Sequence, residues 1–366
     1  MSKKNTAVFV LDAGGTGFKF TAVADAREII QPFTLPSAAD TLDEVLQKIT
    51  RGFRQVQQLS GQDPLAISFS FPGPADYENG IIGDLENLTH FRGGVPLKAM
   101  LEEQFNVPVF INNDGDLFAY GEALSGLLPE TNLLLERAGN PKRYHNLIGL
   151  TFGTGLGGGI VCDGKLLGGD NSAAGEINRM RNFRYPQTSA EDSVSIRGIK
   201  RNFCRETGIQ PDLCPEPQQI YEIATGSMPG NRQAAISAFH EMAEVAADTI
   251  ANALTLIDGL VVIGGGLSGA WPLYLNMIVE QLNKPFTDLQ GHTVSRLEIT
   301  ACNLESDAGI AEFVAKTGTM IRVPFSQKEV WYDPSKKVGV GISRLGTSSA
   351  VAIGAYAYAM DQLNSR

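Results

Sequence analysis

Apolar and polar residues along this chain follow two rhythms. Short apolar runs, each closed by small or polar residues, recur as AVFVLDAGGT, LAISFSFPGP, VPVFINNDGD, LIGLTFGTGLGG and LVVIGGGLSG. Runs of that length, bounded by glycine, proline or asparagine, predict buried strands whose C-terminal ends deliver turns. Between them, apolar residues return at helical spacing. LDEVLQKITRGFRQVQQL (42–59) predicts an amphipathic helix, PLKAMLEEQF opens with a proline suited to a first turn, and alanine-rich 232–258 predicts a long helix. SSAVAIGAYAYAMDQL, apolar over one broad face, predicts a terminal helix that returns to pack on the first domain. Strands alternating with helices predict an α/β protein, in which ligands gather at the carboxyl ends of the strands. The polar turns of this chain fall at those ends. VLDAGGTGFKFTAVAD and LTFGTGLGGGIVCDG share the order strand, glycine turn, strand, aspartate, an echo that predicts a duplicated architecture. The stretch 181–217, rich in proline and charge, predicts a surface excursion, and 323–341 a strand-and-loop insertion.

Composition narrows the function classes. The 366 residues are 43% hydrophobic, enough for a sizeable core, and the length prior allows two domains. A net charge of −10 argues against a nucleic-acid binder, which usually needs a basic face. Cys162, Cys204, Cys214 and Cys302 are widely spaced, which points to neither a disulfide framework nor a thiolate metal site. The opening MSKKNTAVFVLD has too short an apolar run for a signal peptide, and no run approaches the ~18 apolar residues of a membrane helix. The expectation is a cytoplasmic protein with neither membrane nor nucleic-acid partners.

Two glycine turns carry the first chemistry. Glycine lets consecutive backbone N–H groups point together at an anion, so Gly14-Gly15-Thr16 and Gly153-Thr154-Gly155 are candidate phosphate cradles; tight hairpin turns favour glycine too. Gly153, Gly155 and Gly158 fit the dinucleotide fingerprint, but that motif needs a helix next, and the β-forming GGGIVCDGKLL follows. Gly159–Lys165 fits most of a P-loop, yet Leu166 lacks the hydroxyl that holds magnesium. Asp12, beside the first turn, repels a phosphate directly but reaches it through Mg²⁺ or its waters. Lys19 faces either the phosphate or solvent.

The third strand delivers Asn112, Asn113 and Asp114 to the start of the helix GDLFAYGEALSG. Asp114 is a candidate helix N-cap and a candidate general base. With an ordinary pKa of ~3.9 it is a weak base and must act through position. It would accept a hydroxyl proton late in phosphoryl transfer. Asn113 both donates and accepts hydrogen bonds, which suits a polyol. Glu176 and Glu191 are candidate grips on sugar hydroxyls. Gly264-Gly265-Gly266 exposes backbone that could flank a flat ring such as adenine, or simply lead into a helix.

Taken in order, these segments resemble the ROK family, bacterial sugar kinases and sugar-responsive repressors built on the actin-like ATPase fold. LDAGGTGFK is similar to its D-x-G-G-T phosphate turn, and NNDGDLFAYGEALSG to the segment holding its catalytic aspartate, here Asp114. FPGPADYENGII, with Gly73, and ENLTHFRGGVPLKAML, with Asn87, resemble its sugar-side segments. TFGTGLGGGIVCDGKLLGG resembles the second phosphate turn, AAGE ending at Glu176 the A-G-E sugar contact, and VVIGGGLS, with Gly265 and Gly266, the adenosine motif. The resemblance implies two actin-like ATPase (ribonuclease H-like) α/β domains, 1–117 with 346–366 and 118–345, and an interdomain cleft holding ATP and Mg²⁺. It implies phosphorylation of a hexose, commonly at the 6-hydroxyl, by a homodimer. Two departures stand out. Arg179 occupies the position of a family histidine that contacts sugar, and the C-x-C-G-x-x-G-C cluster that binds zinc is missing, so no zinc is expected. Glu191 still resembles the glutamate after that cluster.

Besides a kinase, the resemblance leaves a repressor and a non-catalytic sugar sensor. Eleven residues before Asp12 are too few for a helix-turn-helix segment, which weighs against the repressor. The phosphate turns and Asp114 weigh against the sensor, while Arg179 motivates it.

Overall fold

The computed structural model describes residues 6–14, 17–73, 75–83 and 89–365. Gly15, Thr16 and Asn87 lie outside the described residues. Contacts divide the chain into two compact units, Met1–Gly126 with Gly159–Gly175 and Arg344–Arg366, and Leu127–Gly158 with Glu176–Ser343.

In the first unit, β1 (Val8–Ala13) and β2 (Gly17–Ala24) form an antiparallel pair. The short strands β3 (Arg27–Glu28) and β4 (Phe33–Pro36) both pair with β2. Helix α1 (Leu42–Ser60) follows. The Thr41 side chain caps it by accepting from the Glu44 N–H, and Gly61 closes it in the left-handed region. Its buried face, Val45, Ile49, Phe53 and Val56, joins a core with Phe18, Phe20 and Phe69, in which the Phe20 and Phe53 rings meet edge-on at 5.3 Å. Strand β5 (Ala66–Ser70) runs parallel to β1. Strands β6 (Ala75–Asp76), β7 (Ile81–Ile82) and β8 (Val95–Pro96) make a small antiparallel sheet before α2 (Leu97–Phe105). Strand β9 (Val109–Asn112) pairs parallel to β5, giving the order β3-β2-β1-β5-β9, and leads into α3 (Asp114–Ser125).

In the second unit, α4 (Leu127–Arg137) precedes β10 (Leu147–Phe152) and β11 (Leu156–Cys162). In the segment Gly159–Gly175, which belongs to the first unit, strand β12 (Lys165–Leu166) turns back antiparallel on the end of β11 through Asp163 and Gly164, so a hairpin and not a helix follows the glycine run. Helices α5 (Ile196–Thr207), α6 (Pro217–Thr225) and α7 (Arg232–Ile257) come next, then β13 (Leu260–Gly264) and α8 (Trp271–Asn283). Alanines of α7 fill the core against α5, α6 and α8. Strands β14 (Phe286–Thr287) and β15 (Thr293–Val294) form one exposed hairpin, and β17 (Thr319–Arg322) and β18 (Glu329–Tyr332) another. Strand β16 (Thr300–Asn303), helix α9 (Asp307–Val314) and strand β19 (Lys337–Ile342) complete the unit, whose sheet runs β11-β10-β13-β19-β16.

Helix α10 (Thr347–Asn364) packs on α3 in the first unit. A Cβ at Gly121 would overlap the Ala350 carbonyl, and one at Gly354 would overlap that of Leu117, so the two helices touch backbone to backbone. Both helices lie in the first unit, whose opening segment runs to Gly126.

Two expectations are corrected. The stretch 181–217 is no surface excursion: it contains α5, and Val194, Ile199 and Phe203 belong to the core of the second unit. Its backbone is held by a buried amide, since Asn182 accepts from the N–H groups of Arg184 and Tyr185 and donates to Ser193 Oγ. Nor is 323–341 wholly an insertion. Its last residues are β19, a buried parallel strand between β13 and β16.

Candidate active site

In the first unit, strand register builds a polar row across the carboxyl ends of β1, β5 and β9. Asp12 lies opposite Lys19 on β2 and opposite Ser70 on β5, and Ser70 lies opposite Asn112 on β9. Directly opposed residues present side chains to the same face, so the order Lys19, Asp12, Ser70, Asn112 is a continuous polar line in an apolar sheet. Ser70 Oγ donates to Asp12 Oδ1 at 2.9 Å. Burial raises the Asp12 carboxyl above its ordinary value; the Ser70 hydrogen bond and the Lys19 charge oppose that rise. Gly14 follows, its N–H donating to the Gly17 carbonyl at 3.0 Å to close the turn. Phe18 and Phe20 point to the buried face, away from Lys19.

The row continues into the start of α3. Asn113, not Asp114, is the N-cap: its Oδ1 accepts from the Gly115 N–H at 2.7 Å. Asp114 is the first helical residue, exposed, with Oδ1 accepting from the same N–H at 2.9 Å. The cap thus falls to the amide, and the carboxylate stands at the helix N-terminus, where the positive end of the dipole favours negative charge. Gly73, beyond β5, is exposed, and Tyr77, packed beside it, donates to the Phe71 carbonyl at 2.9 Å.

In the second unit, Gly153-Thr154-Gly155 joins β10 to β11. The Gly153 N–H donates to the Gly155 carbonyl at 3.0 Å, and Thr154 is exposed at the apex. Glu191 lies against this turn. One carboxylate oxygen accepts from the Leu156 N–H at 3.2 Å and the other from Arg197 at 3.0 Å. A Cβ on Gly155 would come within 2.6 Å of the Glu191 carboxylate, so this glycine makes room for that oxygen. The Ile196 N–H, at the head of α5, donates to the Gly153 carbonyl at 2.8 Å. Gly265, just past β13, has φ +87°, and a Cβ there would overlap the Phe152 carbonyl, so only glycine fits. Gly266 is exposed beside it, 3.7 Å from where a Gly153 Cβ would stand. The turn at Gly153–Gly155, Glu191 and the backbone of Gly265–Gly266 therefore form one neighbourhood. Glu176 and Arg179 are exposed at the two ends of a single 3-10 turn, the Arg179 N–H donating to the Glu176 carbonyl at 3.0 Å.

Ser70 and Asn112 were missed as site residues. Their signal was present: each ends an apolar strand with a polar side chain, as Asp12 nearly does, but alignment across the sheet requires the register. Among the described residues, no group of three or more His, Cys, Asp or Glu side chains is placed to hold a metal ion. Nor is any helix among them long and apolar enough to cross a membrane.

These two units have the α/β actin-like ATPase fold of sugar kinases. The chain belongs to the ROK family, whose profile matches residues 8–313. It is similar to the glucokinase of Parabacteroides distasonis, with 47% identity and a TM-score of 0.88 over 98% of this chain and 99% of that one. It is also similar to the glucokinase of Thermotoga maritima, 25% identical over 82% of this chain and 93% of that protein. The N-acetyl-D-glucosamine kinase of Vibrio cholerae is 26% identical over 73% of this chain and 86% of its own length.

Proposed function

We propose that this chain transfers the γ-phosphoryl group of ATP to the 6-hydroxyl of a hexose or hexose derivative, in the cytoplasm and as a homodimer. The chain acts as an ATP-dependent sugar kinase. The observation that carries the reading is the polar row from Lys19 through Asp12 and Ser70 to Asn112, which ends beside Asp114.

Asp114 orients the acceptor hydroxyl and takes its proton as the oxygen bonds to the γ-phosphorus. The bond from that phosphorus to the bridging oxygen breaks, and ADP leaves with the electron pair. In a loose transition state the proton moves late, so an exposed carboxylate suffices if it is well placed. Asn113, Glu176, Arg179 and Glu191 bind the sugar, with Gly73 at its rim. The backbone N–H groups of Thr154 and Gly155 cradle phosphate, with Lys19 on the strand that follows Gly14, and Gly265–Gly266 flank adenine.

Asp12 fits a hard cation, held directly or through water. Its carboxylate is partly desolvated at a strand end, an environment that a divalent charge would relieve. With no three-ligand group among the described residues, a magnesium ion there would take most of its oxygens from phosphate and water. Bound with ATP, it supplies neutralisation of the phosphate charge.

Replacing Asp114 with Asn tests the base. Sugar affinity by calorimetry is expected to stay near the wild-type value while kcat falls by about 10² or more. Near-normal turnover in that variant would defeat the assignment. Sedimentation equilibrium checks the dimer, since a species of one chain's mass at working concentration contradicts it. The reading as a sugar sensor predicts sugar binding with no ATP consumption at all.

A further inference from the structure

Helix α5 carries a row of cations that the proposed reaction does not use as a set. Arg197, Lys200, Arg201 and Arg205 follow one another at helical spacing and line one wall of a cavity of about 650 Å³ in the second unit. Its floor is apolar, formed by Ile196, Ile209 and the buried Cys204 and Cys214. Burial pushes the Cys214 thiol up to about 12, so it behaves as an apolar lining group and not as a nucleophile.

A row of cations on a helix is most often a solvated face. Here the row borders an apolar hollow, and no carboxylate lines it. The acids that pair with these cations are Glu191 with Arg197 at 3.0 Å, Glu216 with Lys200 at 2.8 Å and Glu241 with Arg205 at 2.7 Å. Arg205 is fixed, because Glu241 is 5% exposed and Tyr185 also holds the guanidinium. Lys200 is not fixed: Glu216 is 70% exposed, and so screened a pair exchanges its partner at little cost. Among the described residues, Arg201 makes no ion pair. It donates to Ser193 Oγ at 3.3 Å and lies over the Tyr185 ring at 5.3 Å.

We infer that this cavity binds a phosphate-headed molecule with an apolar body, the head on Arg201 and Lys200 and the body over Ile196 and Ile209. Two cations with labile or absent acid partners match a doubly charged head better than a single carboxylate charge. The volume lies within the range of small-molecule pockets. The site also reaches the turn at Gly153–Gly155: the Ile196 N–H donates to the Gly153 carbonyl, and Arg197 shares Glu191 with the Leu156 N–H. The binding does not depend on the function proposed above.

Calorimetry without ATP or sugar tests the binding. Octyl phosphate is titrated into the wild-type chain, Arg201→Gln and Lys200→Gln, with octanol and inorganic phosphate as the two halves of the probe. Octyl phosphate is expected to bind the wild type, and each substitution to weaken it about tenfold, as for one charge-assisted hydrogen bond, with the wild-type circular dichroism spectrum retained. Octanol and phosphate are expected to bind at least about tenfold more weakly than octyl phosphate. Absence of octyl phosphate binding, equal affinity in all three proteins, or octanol binding as tightly as octyl phosphate would each overturn the inference.

Discussion

Asp12 shows how one residue joins stability to function. Its carboxyl has a folded pKa above the ordinary 3.8, raised by burial. Between those two values the folded chain binds more protons than the unfolded chain. The stability linked to this group is therefore complete below the unfolded pKa and is lost as pH rises through the folded one. At neutral pH the ionised carboxylate costs stability in the absence of a cation. Asp12→Asn is accordingly expected to raise the thermal midpoint of the ligand-free chain at pH 7 by about 1–3 °C, while turnover falls. The gain should shrink as the pH is lowered toward 4. A lower midpoint at pH 7 would mean that the carboxylate is a net structural asset, contrary to the burial argument. Asp12 and Asp114 were legible in the sequence because each closes an apolar run beside glycine or asparagine. Ser70 was not, since a serine ending a strand carries no mark of its neighbour; only the pairing of β1 with β5 puts it against Asp12.

Among the elements, the pairing of α3 with α10 holds the helix that bears Asp114. Helix propensity alone says that alanine in place of Gly354 should stabilise α10 by about 1 kcal/mol. Packing says the opposite, because the new Cβ would overlap the Leu117 carbonyl, a backbone atom that cannot turn aside. Overpacking of this kind costs about 1–3 kcal/mol, so Gly354→Ala is expected to lower stability in urea unfolding. A stabilised variant would show that the helices separate readily. The main strands and longer helices were legible from periodicity, including the hairpin that displaced both nucleotide-loop readings. Strand β19 was not, because Gly339 and Gly341 dilute its apolar pattern to KVGVGI although the strand is central in its sheet. The stretch 181–217 escaped for a different reason. Its core is partly polar, with Asn182, Ser193, Ser195 and Asn202 all buried, and hydrophobic periodicity carries no trace of buried hydrogen bonds.

At the scale of the whole molecule, each unit contributes a different half of the proposed chemistry. The first supplies Asp12, the polar row and Asp114; the second supplies the turn at Gly153–Gly155, Glu191 and the backbone of Gly265–Gly266. The family was legible because these segments recur in a fixed order, a far narrower signal than any one glycine turn. The acceptor was not, because Arg179 stands where the family's histidine is expected, and one exposed cation does not select among hexoses. ATP consumption across glucose, fructose, mannose and the N-acetylated hexosamines, with the phosphate position of each product mapped by NMR, tests the account most directly. The account predicts turnover with at least one of these sugars and phosphate on the 6-hydroxyl. Sugar binding without ATP consumption, or a product phosphorylated at another hydroxyl, would contradict it.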